Sequence, residues 1–142
     1  MASAHIPMWN IDASVGKHQV NRQDDVRLVQ SMLIALAAGG AFHSKVQNSN
    51  FLPGAKLLAT GMFDDLTGAA IKVFQDFMNQ KYPGKYPSDG VVTPLHSPER
   101  IDWTARTPNG KNSTMVGLNF ELRAVDKALH QSLGEKLKER VP

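Results

Sequence analysis

Cysteine is absent from the chain, which excludes a disulfide framework, a thiolate zinc site and a cysteine nucleophile, and leaves the redox compartment open. Long apolar runs are scarce as well. The longest, Met32 to Ala38, falls far short of the roughly 20 residues that cross a bilayer, so no membrane span is expected. Met1 to Asn10 is broken by His5 and Pro7 and lacks the charged start and continuous apolar core of a signal peptide. The expectation is a soluble protein synthesised in the cytoplasm. Neither sign of charge dominates: 16 lysines and arginines face 13 aspartates and glutamates. Much of the excess sits in Lys136, Lys138 and Arg140, too local for the basic face that nucleic acid requires. No nucleic-acid partner is expected, although mild positive charge favours encounter with anionic polymers.

Catalytic signatures are missing too. There is no Gly-x-Ser-x-Gly, no phosphate-binding glycine loop and no His-Glu-x-x-His. The histidines His5, His18, His43, His96 and His130 show no paired ligand spacing, so no metal and no cofactor are expected. Asp64, Asp65, Asp76 and Glu99 invite comparison with the carboxylate pairs of glycosidases. Such pairs work through geometry and a raised acid pKa, and helix caps and solvated faces explain these acids better. The expectation is a protein that is not an enzyme.

What is present is an ordinary globular composition, 42% apolar and 20% charged, which suits one packed domain at this length. Val26, Val29, Leu33 and Leu36 keep one stripe on a helix over Asp24 to Ala38, with Asn21, Asp24 and Asp25 as start signals and Gly39-Gly40 as the stop. From Ala41 to Ala59 the periodicity is lost among loop formers, which reads as a long excursion. A second helix is predicted over Leu66 to Met78, with Leu66, Ala70, Val73, Phe74 and Phe77 on one face and Asp64, Asp65 and Thr67 at its start. Two prolines and a glycine between Tyr82 and Asp89 force a turn. Asn109-Gly110 suits a hairpin with short strands around Trp103 and Met115 to Leu118. A final amphipathic helix is predicted over Asn119 to Arg140, capped by Asn119 and striped by Leu122, Val125, Leu129, Leu133 and Leu137.

One internal echo stands out. Thr60-Gly61-Met62-Phe63 and Asp89-Gly90-Val91-Val92 each place a large apolar residue two positions after a glycine, the pattern of a tight turn pinned into a core. Together with Asp25-Val26, Val29-Gln30, Gly61, Phe63, Thr67, Phe74-Gln75, Asp89-Gly90 and Pro94, these turns give an order that resembles the peptidoglycan-binding-like domain. The match runs from about Val15 to Leu95. It departs from the family at Thr60, where aspartate is favoured, and at Asp64 and Thr93, where glycine is favoured. A β-branched threonine tolerates a left-handed backbone poorly, so the second turn is expected to be altered more than the first.

The resemblance implies a mainly α fold: a three-helix peptidoglycan-binding-like bundle with a long loop excursion and an added C-terminal amphipathic helix. Residues 1–14 form an N-terminal arm, 15–97 the peptidoglycan-binding-like domain, and 98–142 an irregular segment and C-terminal helix packed on the same domain. The implied function is non-catalytic binding of cell-wall peptidoglycan, anchoring a partner enzyme or particle. The alternatives are a structural adaptor in a phage tail or contractile secretion machine and, more weakly, a small wall hydrolase. The site of action would be the periplasm or cell wall after delivery by such a machine.

Ligand-binding candidates are Gln30, Asp64, Gln75, Tyr82, Tyr86, Asp89 and Trp103. A buried amide needs partners for its donors and acceptors, so holding a loop is the first reading for Gln30 and Gln75 and ligand contact the second. Tyr82, Tyr86 and Trp103 in loop context offer aromatic planes for a sugar. Leu133 and Leu137 are the candidates for a protein partner.

Overall fold

The computed structural model describes residues 9–38, 57–94, 113–125 and 128. Within them the fold is mainly helical: α1 spans Gln23–Ala38, α2 Asp65–Lys81 and α3 Thr114–Val125. None of these helices is long and apolar enough to cross a membrane.

Helix α1 is the centre of the bundle and packs against both others. Its predicted stripe of Val26, Val29, Leu33 and Leu36 is buried, and Leu28 and Met32 are buried beside it, so contact extends beyond a single stripe. Asp24 and Asp25 place negative charge at its positive dipole end. Asp25 does something other than cap its own helix. Its carboxylate accepts the N–H groups of Asp12 at 3.1 Å and Ala13 at 3.0 Å, drawing the preceding chain onto the bundle.

The second helix starts as expected. Asp64 is its N-cap, with an extended backbone and a side chain accepting from Thr67 N. It runs a turn beyond Met78 until Pro83 follows its C-cap, since proline has no N–H to continue the ladder. Ala70, Ile71, Phe74 and Met78 are buried, while Phe63, Leu66, Val73 and Phe77 pack at the edge of the core.

Helix α3 corrects the sequence reading. It begins at Thr114, so Met115 to Leu118 are helical rather than a strand, and Asn119 lies inside the helix instead of capping it. Met115, Leu118 and Leu122 recur at steps of three and four and are buried, a helical pattern. Gly117 is tolerated there because Tyr86 occupies the space a side chain would fill: an added Cβ would lie 3.1 Å from the Tyr86 ring. The Asn119 amide donates to Trp9 O and Met115 O and accepts from Trp9 N. Trp103, the Asn109-Gly110 turn and the Leu129, Leu133 and Leu137 positions lie outside the described residues, as does the side chain of Val125.

One antiparallel bridge joins Val15 to Val92 through two N–H···O bonds of 2.9 Å. It fastens the chain before α1 to the turn after α2. Ile11 and Val15 are both buried in the core that these three helices share.

Candidate functional site

The motif residues converge into two networks of the same design. In the first, Gln30 of α1 is wholly buried. Its Oε1 accepts the Gly61 N–H at 2.9 Å, and its Nε2 faces Thr67 Oγ1 at 2.9 Å, Met62 O at 3.1 Å and Thr60 Oγ1 at 3.5 Å. In the second, Gln75 of α2 is equally buried. Its Oε1 accepts the Gly90 N–H at 2.8 Å, while Nε2 faces Thr114 Oγ1 at 3.0 Å, Val91 O at 3.1 Å and Asp89 Oδ1 at 3.1 Å. Each glutamine therefore satisfies a glycine N–H, the next carbonyl, the side-chain oxygen before the glycine and a threonine near the start of the following helix.

The two glycines have φ of 83° and 72°, a left-handed backbone that glycine adopts without steric cost. Thr60 and Asp89 fill one role, since their side-chain oxygens also accept the N–H of Met62 and Val91. The expected alteration of the second turn is not found. Among the described residues only His18 and Asn21 are non-glycine residues with positive φ, so Thr93 carries no left-handed strain.

Asp64 is occupied at the N-terminus of α2, accepting Thr67 N at 2.8 Å and Thr67 Oγ1 at 2.6 Å. Gln30, Thr67 and Asp64 thus form one chain of hydrogen bonds. With Gln75 and Asp89 in the second network, these four candidate side chains all hold local backbone.

The tyrosines differ from one another. Tyr86 is only 8% exposed, and its N–H and C=O are both held by the Asn79 amide, at 2.8 and 3.0 Å. Tyr82 is 44% exposed. Its backbone is fixed on both sides: its N–H donates to Met78 O at 2.7 Å and its C=O accepts from Lys85 N at 3.0 Å. Pro83 and Gly84, the latter at φ 71°, form the tip of that turn. The two tyrosine rings lie 6.3 Å apart. Lys81 Nζ lies 5.8 Å from the Tyr82 ring and 5.9 Å from the Phe77 ring, and is tied to Glu121 at 2.9 Å. The result is an amphipathic rim where α2 ends, with one exposed aromatic face on a fixed backbone.

A cluster not anticipated from sequence consists of Asp12, Asp24 and Asp25, whose carboxylate oxygens lie within 4.8 Å of one another. Asp25 is engaged by the two N–H groups named above, and Asp24 faces Arg22 at 3.7 Å. Structural tasks account for both. The signal for this cluster was hidden because Asp12 reaches α1 only through the path of the chain before it.

No family model, curated protein or solved structure matches the chain.

Proposed function

We propose that the chain is a non-catalytic binding module for bacterial cell-wall peptidoglycan, built on a peptidoglycan-binding-like bundle. The observation that carries this reading is the convergence of Gln30, Gly61 and Thr67, and of Gln75, Gly90 and Thr114, into two like networks on either side of α2. A chance order of common dipeptides gives no reason for such convergence, whereas a scaffold motif requires it. The motif amides are saturated by the fold, so ligand contact belongs to the surface. Tyr82 offers an aromatic plane for the apolar face of a sugar, and Lys85 adds positive charge to that end, suited to an anionic wall polymer, while Lys81 is paired with Glu121.

Co-sedimentation with purified sacculi tests the reading. The protein should pellet with the sacculi and release no muropeptides. A protein that stays in the supernatant overturns wall binding, and released fragments would make it a small wall hydrolase. A second reading, a structural adaptor in a phage tail or contractile secretion machine, draws on the exposed side chains of Leu58 and Met62, which suit a protein surface better than a glycan.

A further inference from the structure

Gly61 supports more than a turn. A Cβ at this position would lie 2.7 Å from Gln23 Cγ and 3.2 Å from Arg27 Nη2, so both side chains lie directly on the glycine. Gln23 and Arg27 are four residues apart on α1 and therefore share a face. Arg27 is half-buried, yet among the described residues its guanidinium has no ion pair and no hydrogen-bond acceptor; the ion pairs there are Arg22 with Asp24 and Lys81 with Glu121. The Gln23 amide is likewise without a partner among them. With no acceptor among the described residues, the guanidinium that lies against Gly61 is available to a group brought from outside. Its planar fork matches a carboxylate in two parallel hydrogen bonds. Met62, the next residue after Gly61 in the chain, is 71% exposed and offers an apolar surface on the same turn.

We propose that Gln23 and Arg27, seated on the Gly61 turn, form a clamp for a free carboxylate that carries a small apolar side chain, as at the end of a short peptide. Arg27 supplies the fork, Gln23 an amide donor, and Met62 the contact for the side chain. Resting on the wall-binding reading, the clamp assigns one recognised group to the peptide stem rather than to the glycan. A glycine at position 61 is then required twice, by its backbone angle and by the arginine lying on it.

The test titrates the labelled protein with N-acetyl-D-alanyl-D-alanine, as the free acid and as its C-terminal amide, and follows backbone amide signals by NMR. The acid should shift the signals of Gln23, Arg27, Gly61 and Met62, and the amide should not. Arg27→Ala should weaken binding of the acid by about tenfold or more, the loss expected for a charged hydrogen bond. Arg27→Lys, which keeps stem and charge but not the fork, should bind between the two and shows that the fold survives. Equal response to acid and amide, no response to the acid, or full affinity in a folded Arg27→Ala protein overturns the clamp. Sacculi distinguish this from the broader reading. If they pellet the wild type while the acid gives no response that depends on Arg27, wall binding stands and the clamp fails. If the acid binds through Arg27 while sacculi pellet neither protein, the clamp stands and wall binding fails.

Discussion

Gly61 and Gly90 share a left-handed backbone and a glutamine partner, but their surroundings differ, and a substitution should separate them. An alanine at 90 meets only Gly68 O at 3.7 Å, ordinary van der Waals contact, so its cost is the left-handed conformation alone, about 1–2 kcal/mol. At 61 the same methyl would lie 2.7 Å from Gln23 Cγ and 3.1 Å from Gln23 O. The second of these is helix backbone and cannot turn aside as a side chain does. Gly61→Ala should therefore lower the unfolding midpoint in urea clearly more than Gly90→Ala, and equal midpoints would show that α1 yields at its first turn. At this scale the sequence was unusually readable. Glycine followed by a large apolar residue, with Gln30 and Gln75 each needing amide partners, already indicated held turns. Asp25 misled, because an acid in the first turn of a helix is ordinarily read as local charge or capping, and its real partners are N–H groups from a segment twelve and thirteen residues earlier in the chain.

Helices α1 and α2 were legible from periodicity because their apolar positions recur every three or four residues and strong acids mark both starts. Phe74 is the largest fully buried side chain they contribute. Phe74→Ala should destabilise the protein by about 3–5 kcal/mol through lost transfer energy and the cavity left behind, and a thermal unfolding curve unchanged from wild type would remove Phe74 from the core. Helix α3 was legible only in its second half. Its start carries Val116 and Gly117, which weaken local helix preference, and two tertiary facts override that preference: Tyr86 fills the space above Gly117, and the core takes Met115, Leu118 and Leu122. Asn119 looked like a cap because asparagine favours that role, whereas here its amide serves Trp9, 110 residues away in sequence. Such a contact leaves no periodic trace. The aromatic rim was legible as residue types only, since nothing local shows that Asn79 would hold the Tyr86 backbone and leave Tyr82 as the exposed ring.

Across the whole molecule, the chain before α1 acts as a strap that joins elements distant in sequence. Trp9 binds Asn119 of α3, Asp12 and Ala13 bind Asp25 of α1, Ile11 is buried in the shared core, and Val15 bridges to Val92 after α2. An arm merely appended to the bundle would make none of these contacts necessary. Deleting residues 1–13 removes three of the four attachments and leaves two buried polar groups short of partners. Burial of Ile11 contributes about 1.5–3 kcal/mol, and a buried acceptor or donor left unsatisfied costs about 1–3 kcal/mol. Against a typical domain stability of about 5–15 kcal/mol, the sum is a large fraction of the total. The deleted protein should therefore melt far below the full chain or fail to fold, with Asn119→Ala, which severs the Trp9 attachment and the bond to Met115 O but leaves Ile11 and the partners of Asp25 in place, falling between the two. Asp25→Asn provides the contrasting case. It retains one acceptor oxygen and keeps Ile11 in place, so it should lose much less stability than the deletion. If the deletion melts with the full chain, the strap contributes nothing to folding, and the contacts of Asp25 and Asn119 are consequences of the bundle rather than part of what holds it.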